Sequence, residues 1–592
     1  MRGFGPSNSA IRNIIGSNMQ FESFNRKFTA KWWAGEKLDR TIAVDLETEL
    51  IKSESHTPRP VVGGAYDGQG IVYFIKPQDL TRFISNHRNS LKELYFHNAA
   101  FDTGVMEKHC DTDFTHLVMG NKIIDTAILY RLIYIATTGM CPRRYNLDLC
   151  SHELLGTSLN KNSDIRLTFD QYLDKDIKEI SPQHLKYLAE DCIATYLVAK
   201  KLIKKVDDLP TSNNLSHQIQ LMGDLALNKI RKRGIGVDVD YVNNLRLDLT
   251  REMDKNSNIM ATYGLIRGEK GFQSKYEKVI EFIGIDLPRT GKTGKLSMKA
   301  EHLEPYKGNH FVDALLEYLE LEKRRSFLNE LTEERVYPIY DSIKNTLRTG
   351  CRKPNIQNPP RKGGIRESFV PSSGNVFIDI DYASIELYAL AHVLKSYYGE
   401  SILFDKLSAG NDVHIYAASE IFSKSEAEVT SHERQIAKIC NYGLAANMGA
   451  ETFRKHMAKQ GVELELEETK RIKKAWAAAF PEIQQFWRRG YNRTTFVSKT
   501  GFVRANCTYT QYLNSHFQSL VAEGCKIMLY FLEKEGYRTV AFIHDEIVIE
   551  HPEASAKEAM PKIQKIMEEA MQKLIPTLKI KTDGKITTRF NK

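Results

Sequence analysis

The chain reads as a multi-domain α/β protein: an N-terminal α/β unit, then a mostly helical unit carrying two apolar strands that are closed or broken by acids. Three observations predict this. The segments TIAVDLETE from Thr41 and ELYFHNAAFD from Glu93 read as strands, and HLKYLAEDCIATYLVAKKL from His184 has helical spacing. Far downstream, Phe377, Ile378 and Ile380 form a buried-strand pattern that turns helical from Tyr382, and Val540 to Glu550 writes a second apolar strand broken by His544, Asp545 and Glu546. The length of 592 residues exceeds what one core supports and implies about three or four structural units.

Composition sets the class. Hydrophobic content of 42% with 27% charged residues describes an ordinary soluble globular protein, and a formal charge of +9 has the sign that suits a polyanionic partner. No apolar run reaches the length of a membrane span, and the N-terminus lacks a signal-peptide core, so the expected compartment is the cytoplasm. The eight cysteines are scattered without a CxxC pair, which points away from a zinc site or a disulfide framework.

The strand from Phe377 delivers Asp381 to its end, a rigid place for a metal ligand. Taken alone, the same stretch equally describes a core strand whose final Asp caps the next helix. The second strand shifts the balance, because burying three adjacent polar groups is costly unless they meet a partner such as a metal ion. A hairpin there brings Asp545 beside Asp381. Two carboxylates so placed suit a pair of divalent ions, with oxygen donors favouring Mg²⁺, which is the chemistry of phosphoryl transfer. Between the strands, Arg434, Lys438 and Tyr442 recur at i, i+4 and i+8, placing two cations and a ring on one helical face suited to a triphosphate and its base. A solvated basic helix has the same pattern.

DYASIEL from Asp381, the R-x3-K-x3-Y-G run from Arg434, and HDE at His544, in this order, resemble motifs A, B and C of the family A DNA polymerases. The resemblance implies that Asp381 and Asp545 hold two Mg²⁺ with the Tyr382 carbonyl, Mn²⁺ being able to substitute, and that Glu546 joins the catalytic acids. It implies that Arg434, Lys438 and His414 bind the phosphates of a dNTP, that Tyr442 packs on its sugar and base, and that Glu386 blocks a ribose 2′-hydroxyl. Asn514 and Gln518 match amides that touch the DNA minor groove, and His544 is placed among the DNA contacts.

The N-terminal unit carries a second acid set. Asp45 and Glu47, two apart on a strand, share a face. Asp102 closes the next strand segment, and Tyr187 and Asp191 share a helical face at i and i+4. Each segment alone equally describes a strand edge or a core ring. Together and in this order they resemble the motifs of DEDD-type 3′→5′ exonucleases in the variant with tyrosine, an RNase H-like fold. That resemblance implies four carboxylates, Asp45, Glu47, Asp102 and Asp191, around two Mg²⁺ or Mn²⁺, with Tyr187 orienting the attacking water.

The resulting division is an N-terminal extension at 1–38, an exonuclease domain at 39–205, a thumb and approach to the palm at 206–345, palm with motif A at 346–400, fingers with motif B at 401–500, and palm with motif C at 501–592. The fold implied is an α/β exonuclease followed by a right-hand polymerase with helical thumb, helical fingers and an antiparallel palm sheet. The function implied is template-directed DNA synthesis with 3′→5′ proofreading; the alternative is chiefly an exonuclease with a DNA-binding, polymerase-like half. The expected partners are primer–template DNA and dNTPs, with helicase or primase as replisome partners, no membrane, and a monomer as the working form. The text around RKGGIRESFVP also resembles phage-encoded replicative polymerases, which implies the host cytoplasm and extends to phages with 2-aminoadenine DNA.

Two departures stand out. Cys351 occupies the place of an arginine in the family's T-G-R segment, with Arg352 one position later. Ala446 stands where the family carries an aromatic beside the templating base, followed by Asn447 in place of Gly, so altered template handling is expected, with Ala446→Tyr as its test.

Overall fold

The computed structural model describes residues 18–159, 163–211, 213–291 and 293–591. Residues 1–17 of the expected extension lie outside them.

The N-terminal unit is built on a seven-stranded sheet of β1 (Met19–Ser23), β2 (Arg26–Trp32), β3 (Thr41–Thr48), β4 (Pro60–Tyr66), β5 (Ile71–Ile75), β6 (Glu93–Phe96) and β7 (Ile123–Asp125), in the order β1-β2-β5-β4-β3-β6-β7. β1 and β2 come from the segment expected as an extension. They form an antiparallel hairpin that joins the sheet through a parallel β2–β5 pairing, with Phe28 and Trp33 buried at the seam. Helices α1 (Ala99–His109), α2 (Thr126–Thr138) and α3 (Pro182–Asp207) cover the sheet, α3 lying on β3 and β4. Gly64 permits that contact: a Cβ there would stand 2.5 Å from Cys192 Sγ and 2.9 Å from Leu188 Cγ. With no side chain on this stretch of β4, α3 settles close enough to carry Asp191 toward Asp45 on the neighbouring strand.

Beyond this unit come α4 (Asn213–Arg233), α5 (Val239–Thr262), α6 (His310–Leu328), β8 (Asn375–Tyr382), α7 (Ile385–Tyr398), α8 (Val413–Phe422), α9 (Ser431–Gly443), α10 (Pro481–Arg489), α11 (Tyr509–Lys534), β9 (Thr539–Ile543), β10 (Glu546–Pro552), α12 (Ala556–Gln572) and β11 (Thr582–Thr587). The strands make an antiparallel sheet in the order β9-β10-β8-β11. Strand alternation divides its faces. Ile378, Ile380, Ile547 and Ile549 enter the main core, while Phe377 and Val548, on the opposite face, join a second apolar cluster with Val242 and Leu249 of α5 and Leu315 and Leu321 of α6.

α4 packs between α1, α2 and α11, so it ties the two units together. The seam holds buried charge. Lys526 of α11 donates to the Gln220 amide oxygen and to the Leu347 carbonyl, and Arg131 of α2 pairs with Asp341 and donates to the Ile343 carbonyl. Burial lowers Lys526 to about 7 and raises Glu523 on the same helix to about 7.

Gly64→Ala is expected to destabilise the N-terminal unit by about 1–3 kcal/mol through overpacking against α3. A lower midpoint of thermal unfolding checks this, and an unchanged midpoint would mean that α3 has room to spare.

Candidate active sites

Asp381 closes β8, and its direct cross-strand partner on β10 is Glu546. His544 and Asp545 form the link between β9 and β10, with His544 at φ +61°, a left-handed conformation that a non-glycine residue holds only when its surroundings impose it. The hairpin turn therefore presents Asp545 next to the end of β8. Both carboxylates act on the same neighbours: burial first, then Asp545 and Asp381, push the Cys525 thiol upward, and both charges also raise Tyr442. The Tyr382 ring is buried, with its hydroxyl donating to the Met567 carbonyl at 2.6 Å, which fixes the strand end that would offer its carbonyl.

Asp379 was not singled out from sequence, although an acid two before Asp381 in an apolar strand shares its face. It is 5% exposed and pushed up to about 7, by burial and then by Glu546 beside it, with Lys585 on β11 opposing at 3.5 Å.

Arg434, Lys438 and Tyr442 fall on one face of α9, and its Tyr442 end reaches the chain just beyond β8. Tyr442 donates to Ser384 Oγ at 3.1 Å, within motif A and just beyond β8, and its ring lies 5.9 Å from that of His414. Lys438 is exposed. Arg434 pairs with Asp412 at 2.8 Å, the residue whose carboxylate caps α8 through the His414 and Ile415 amides. His414 itself is 6% exposed. Its tautomer follows from a chain of contacts: the Trp476 indole, a donor only, gives its proton to Asn441 Oδ1 at 2.7 Å, which turns Asn441 Nδ2 toward His414 Nδ1 at 2.8 Å. Nδ1 accepts, so the ring proton sits on Nε2. Burial holds the imidazole near 4, neutral at physiological pH, so it is a hydrogen-bond donor and not a cation.

Glu386 receives a charge-assisted hydrogen bond from Arg348. Burial lowers Arg348 while the Asp545 charge opposes, and the two residues line one small cavity together with Glu386, Phe542 and His544. Arg348 was missed by sequence reasoning. Cys351, three residues on, is buried enough that its thiol is raised to about 11. Asn514 and Gln518 lie part-exposed on α11.

In the N-terminal unit, ligand atoms of Asp45, Glu47 and Asp191 lie within 4.8 Å of one another. Asp102 stands beside this triad and outside it, its Oδ1 accepting from the Leu46 amide at 3.0 Å. Burial and then the Asp45 charge raise Asp102 well above the usual carboxylate range. Tyr187 is buried one turn before Asp191, its ring 6.2 Å from Phe169. Acids crowded like this repel one another, and all-oxygen donors fit a hard divalent cation better than a soft one.

Comparison with known proteins matches a family to each of the two units. The family model for DNA polymerase family A matches residues 241–592, and that for a 3′-5′ exonuclease matches 17–207, which begins ahead of β1. DNA polymerase I of Synechocystis is 27% identical over 544 residues, covering 82% of this chain and 52% of that protein. DNA polymerase I of Aquifex aeolicus is 26% identical over 487 residues, covering 76% of this chain and 82% of its own length. The chain thus spans about half the length of the Synechocystis relative. A solved POL domain of Pol1 from M. smegmatis, in complex with DNA primer-template and dNTP, superposes with a TM-score of 0.72 at 17% identity, covering 95% of this chain and 99% of that one.

His414 lies below its ordinary 6.5, so the stability of its neutral form is complete above pH 6.5 and is lost as pH falls through 4. Nucleotide affinity measured from pH 5.5 to 8 is therefore expected to show no His414 inflection near 6.5. A His414→Gln variant, which keeps a neutral donor, should retain more affinity than His414→Ala. An inflection present in the native protein and absent from His414→Gln would contradict the neutral assignment.

Proposed function

The chain belongs to DNA polymerase family A, and from that premise we propose that it extends a primer 3′ end along a DNA template with dNTPs and removes 3′-terminal nucleotides at a second, separate site. The observation that carries this is the convergence of Asp381 and Asp545 at one end of the sheet, where Tyr442 of the α9 face reaches Ser384 just beyond β8, while Asp45, Glu47 and Asp191 gather in the other unit.

At the polymerase site, Lys438, Arg434 and the Nε2–H of His414 take the triphosphate, Tyr442 packs on sugar and base, and Glu386, held by Arg348, meets a ribose 2′-hydroxyl. Asn514 and Gln518 sense the minor groove, where the acceptors common to all base pairs report pair shape and not sequence. Asp381 and Asp545 with the Tyr382 carbonyl would hold Mg²⁺ here, and Asp45, Glu47, Asp102 and Asp191 would hold it in the exonuclease site, with Mn²⁺ suiting the same donors. Bound there, the ions supply charge neutralisation and a more acidic attacking hydroxyl or water. The protein's own share is positioning: strand ends fix the acids, and Tyr187 orients the water for hydrolysis.

In this reading the fingers occupy 401–500, the palm 346–400 and 501–592, the thumb 206–345, and the exonuclease 39–205 with the β1–β2 hairpin added to its sheet. It takes primer–template DNA and dNTPs as ligands, a monomer as the working form, the cytoplasm as compartment, and helicase or primase as replisome partners. Among the described residues no helix is long and apolar enough to cross a membrane. The named relatives are bacterial, and neither a phage origin nor 2-aminoadenine follows from them.

Extension and shortening of a labelled primer with Mg²⁺ separate the two activities. Asp545→Asn is expected to cut extension by about 10³-fold or more while leaving shortening intact. Asp45→Ala with Glu47→Ala should do the reverse. Normal extension by Asp545→Asn, or persistent shortening by the double variant, would refute the corresponding site.

A further inference from the structure

The end of α9 departs from a continuous helix. It stops at Gly443, the chain turns through Leu444–Asn447, and Asn447 takes a left-handed φ of +59°. Ala446 is 6% exposed and enters the core, so no ring projects from this turn, and Ala446→Tyr would overpack the core before it reached any template.

A closed set of hydrogen bonds ties the turn to two other elements. Asn447 Nδ2 donates to the Tyr509 hydroxyl at 2.9 Å, that hydroxyl donates to the Trp487 carbonyl at 3.0 Å, and the Trp487 indole donates to the Ala445 carbonyl at 3.2 Å. The Tyr509 ring is thereby fixed between the fingers turn, the end of α10 and the start of α11. Gly490 brings the chain across it: a Cβ there would stand 2.9 Å from Tyr509 Cε2 and 3.0 Å from Leu513 Cδ2. The next residue, Tyr491, lies flat on Tyr509, with ring centroids 5.2 Å apart and 14° between planes. One face of Tyr491 is covered by that stack; the residue is still 60% exposed. Arg488, Arg489 and Arg493, all exposed, flank it in the sequence, the Arg489 guanidinium lying 4.0 Å from the Tyr397 ring centroid.

A rigid stacked pair of rings with an exposed π-face, on a segment rich in exposed arginines, is the arrangement that receives an unpaired nucleobase together with its phosphates. Its position ties it to the helix that carries Asn514. Tyr509 opens α11, and Asn514 follows five residues on, about 7.5 Å along the helix axis. That rise corresponds to roughly two base steps at about 3.4 Å each.

We propose that Tyr491, backed by Tyr509, is the stacking platform for the first unpaired template base ahead of the nucleotide pocket, supplying the ring that the fingers helix lacks at Ala446. The proposal rests on the polymerase reading above. The platform comes from the loop after α10 and from α11, so the ring that meets the template lies outside α9 while Asn447 links it to the turn after α9.

The test uses the full chain and a primer–template carrying 2-aminopurine at the first unpaired template position, with a blunt duplex as control. In the native protein the base is expected to stack and its fluorescence to be quenched. Tyr491→Phe should keep the quench. Tyr491→Ala should lose it and bind the overhang substrate about 5- to 150-fold more weakly, with blunt-duplex binding unchanged. Tyr491 is exposed, so its truncation leaves the core intact. Quench and overhang affinity equal in Tyr491→Ala and native protein would overturn the platform, as would an equal loss of affinity for overhang and blunt duplex. Native protein that stacks the base through Tyr491 yet extends no primer would instead sink the polymerase reading and leave the platform as a single-strand binding site.

Discussion

Like charges held at the ends of hydrogen-bonded strands constrain everything else in this molecule. Asp381 cannot withdraw from Asp545, because β8 and β10 are locked in register with Asp381 opposite Glu546 and a single turn separates Glu546 from β9. Asp45 and Glu47 are equally fixed on β3, and α3 brings Asp191 to them from across Gly64. Repulsion among such acids favours either a proton or a cation. Asp102 and Asp379, buried beside each set, are pushed toward the protonated form, whereas the acids at the strand ends face partly outward, where a divalent ion can reach them.

Around the polymerase acids, neutral groups are oriented as carefully as charged ones. The Trp476–Asn441–His414 series sets a single proton on His414 Nε2, and burial keeps the ring uncharged, so Arg434, Lys438 and His414 together offer two cations and one neutral donor. Arg434 is partly neutralised by Asp412 and Glu386 by Arg348. Each of these side chains is held by a partner from another segment, which limits reorganisation when a ligand arrives.

The two units share a buried polar seam instead of a flexible joint. Lys526, Gln220, Glu523 and Arg131 bind groups on α4, α11 and the segment before β8, and desolvated groups of this kind are costly to separate from their partners. The helix that carries Asn514 and Gln518 also packs on α4, which joins the N-terminal unit, so the two sites sit on one framework.

Much of both sites was legible in the sequence because it depends on local periodicity. Strand alternation put Asp45 with Glu47 and ended β8 at the acid; a 3.6-residue period aligned Arg434, Lys438 and Tyr442, and Tyr187 with Asp191; a polar break in an apolar strand marked the His544–Asp545 turn. The same alternation also made Asp379 available as a neighbour of Asp381. What periodicity does not encode is which distant side chain completes a pair. The Arg348–Glu386 contact, the membership of Asp45, Glu47 and Asp191 without Asp102, the proton on His414 and the Tyr491–Tyr509 stack each join segments tens to hundreds of residues apart. Their geometry is set by strand register, by close approach at Gly64 and Gly490, and by which neighbour excludes water. The sequence alone therefore determined the chemistry on offer, and tertiary packing decided which groups meet, because desolvation and side-chain direction exist only once the chain has closed on itself.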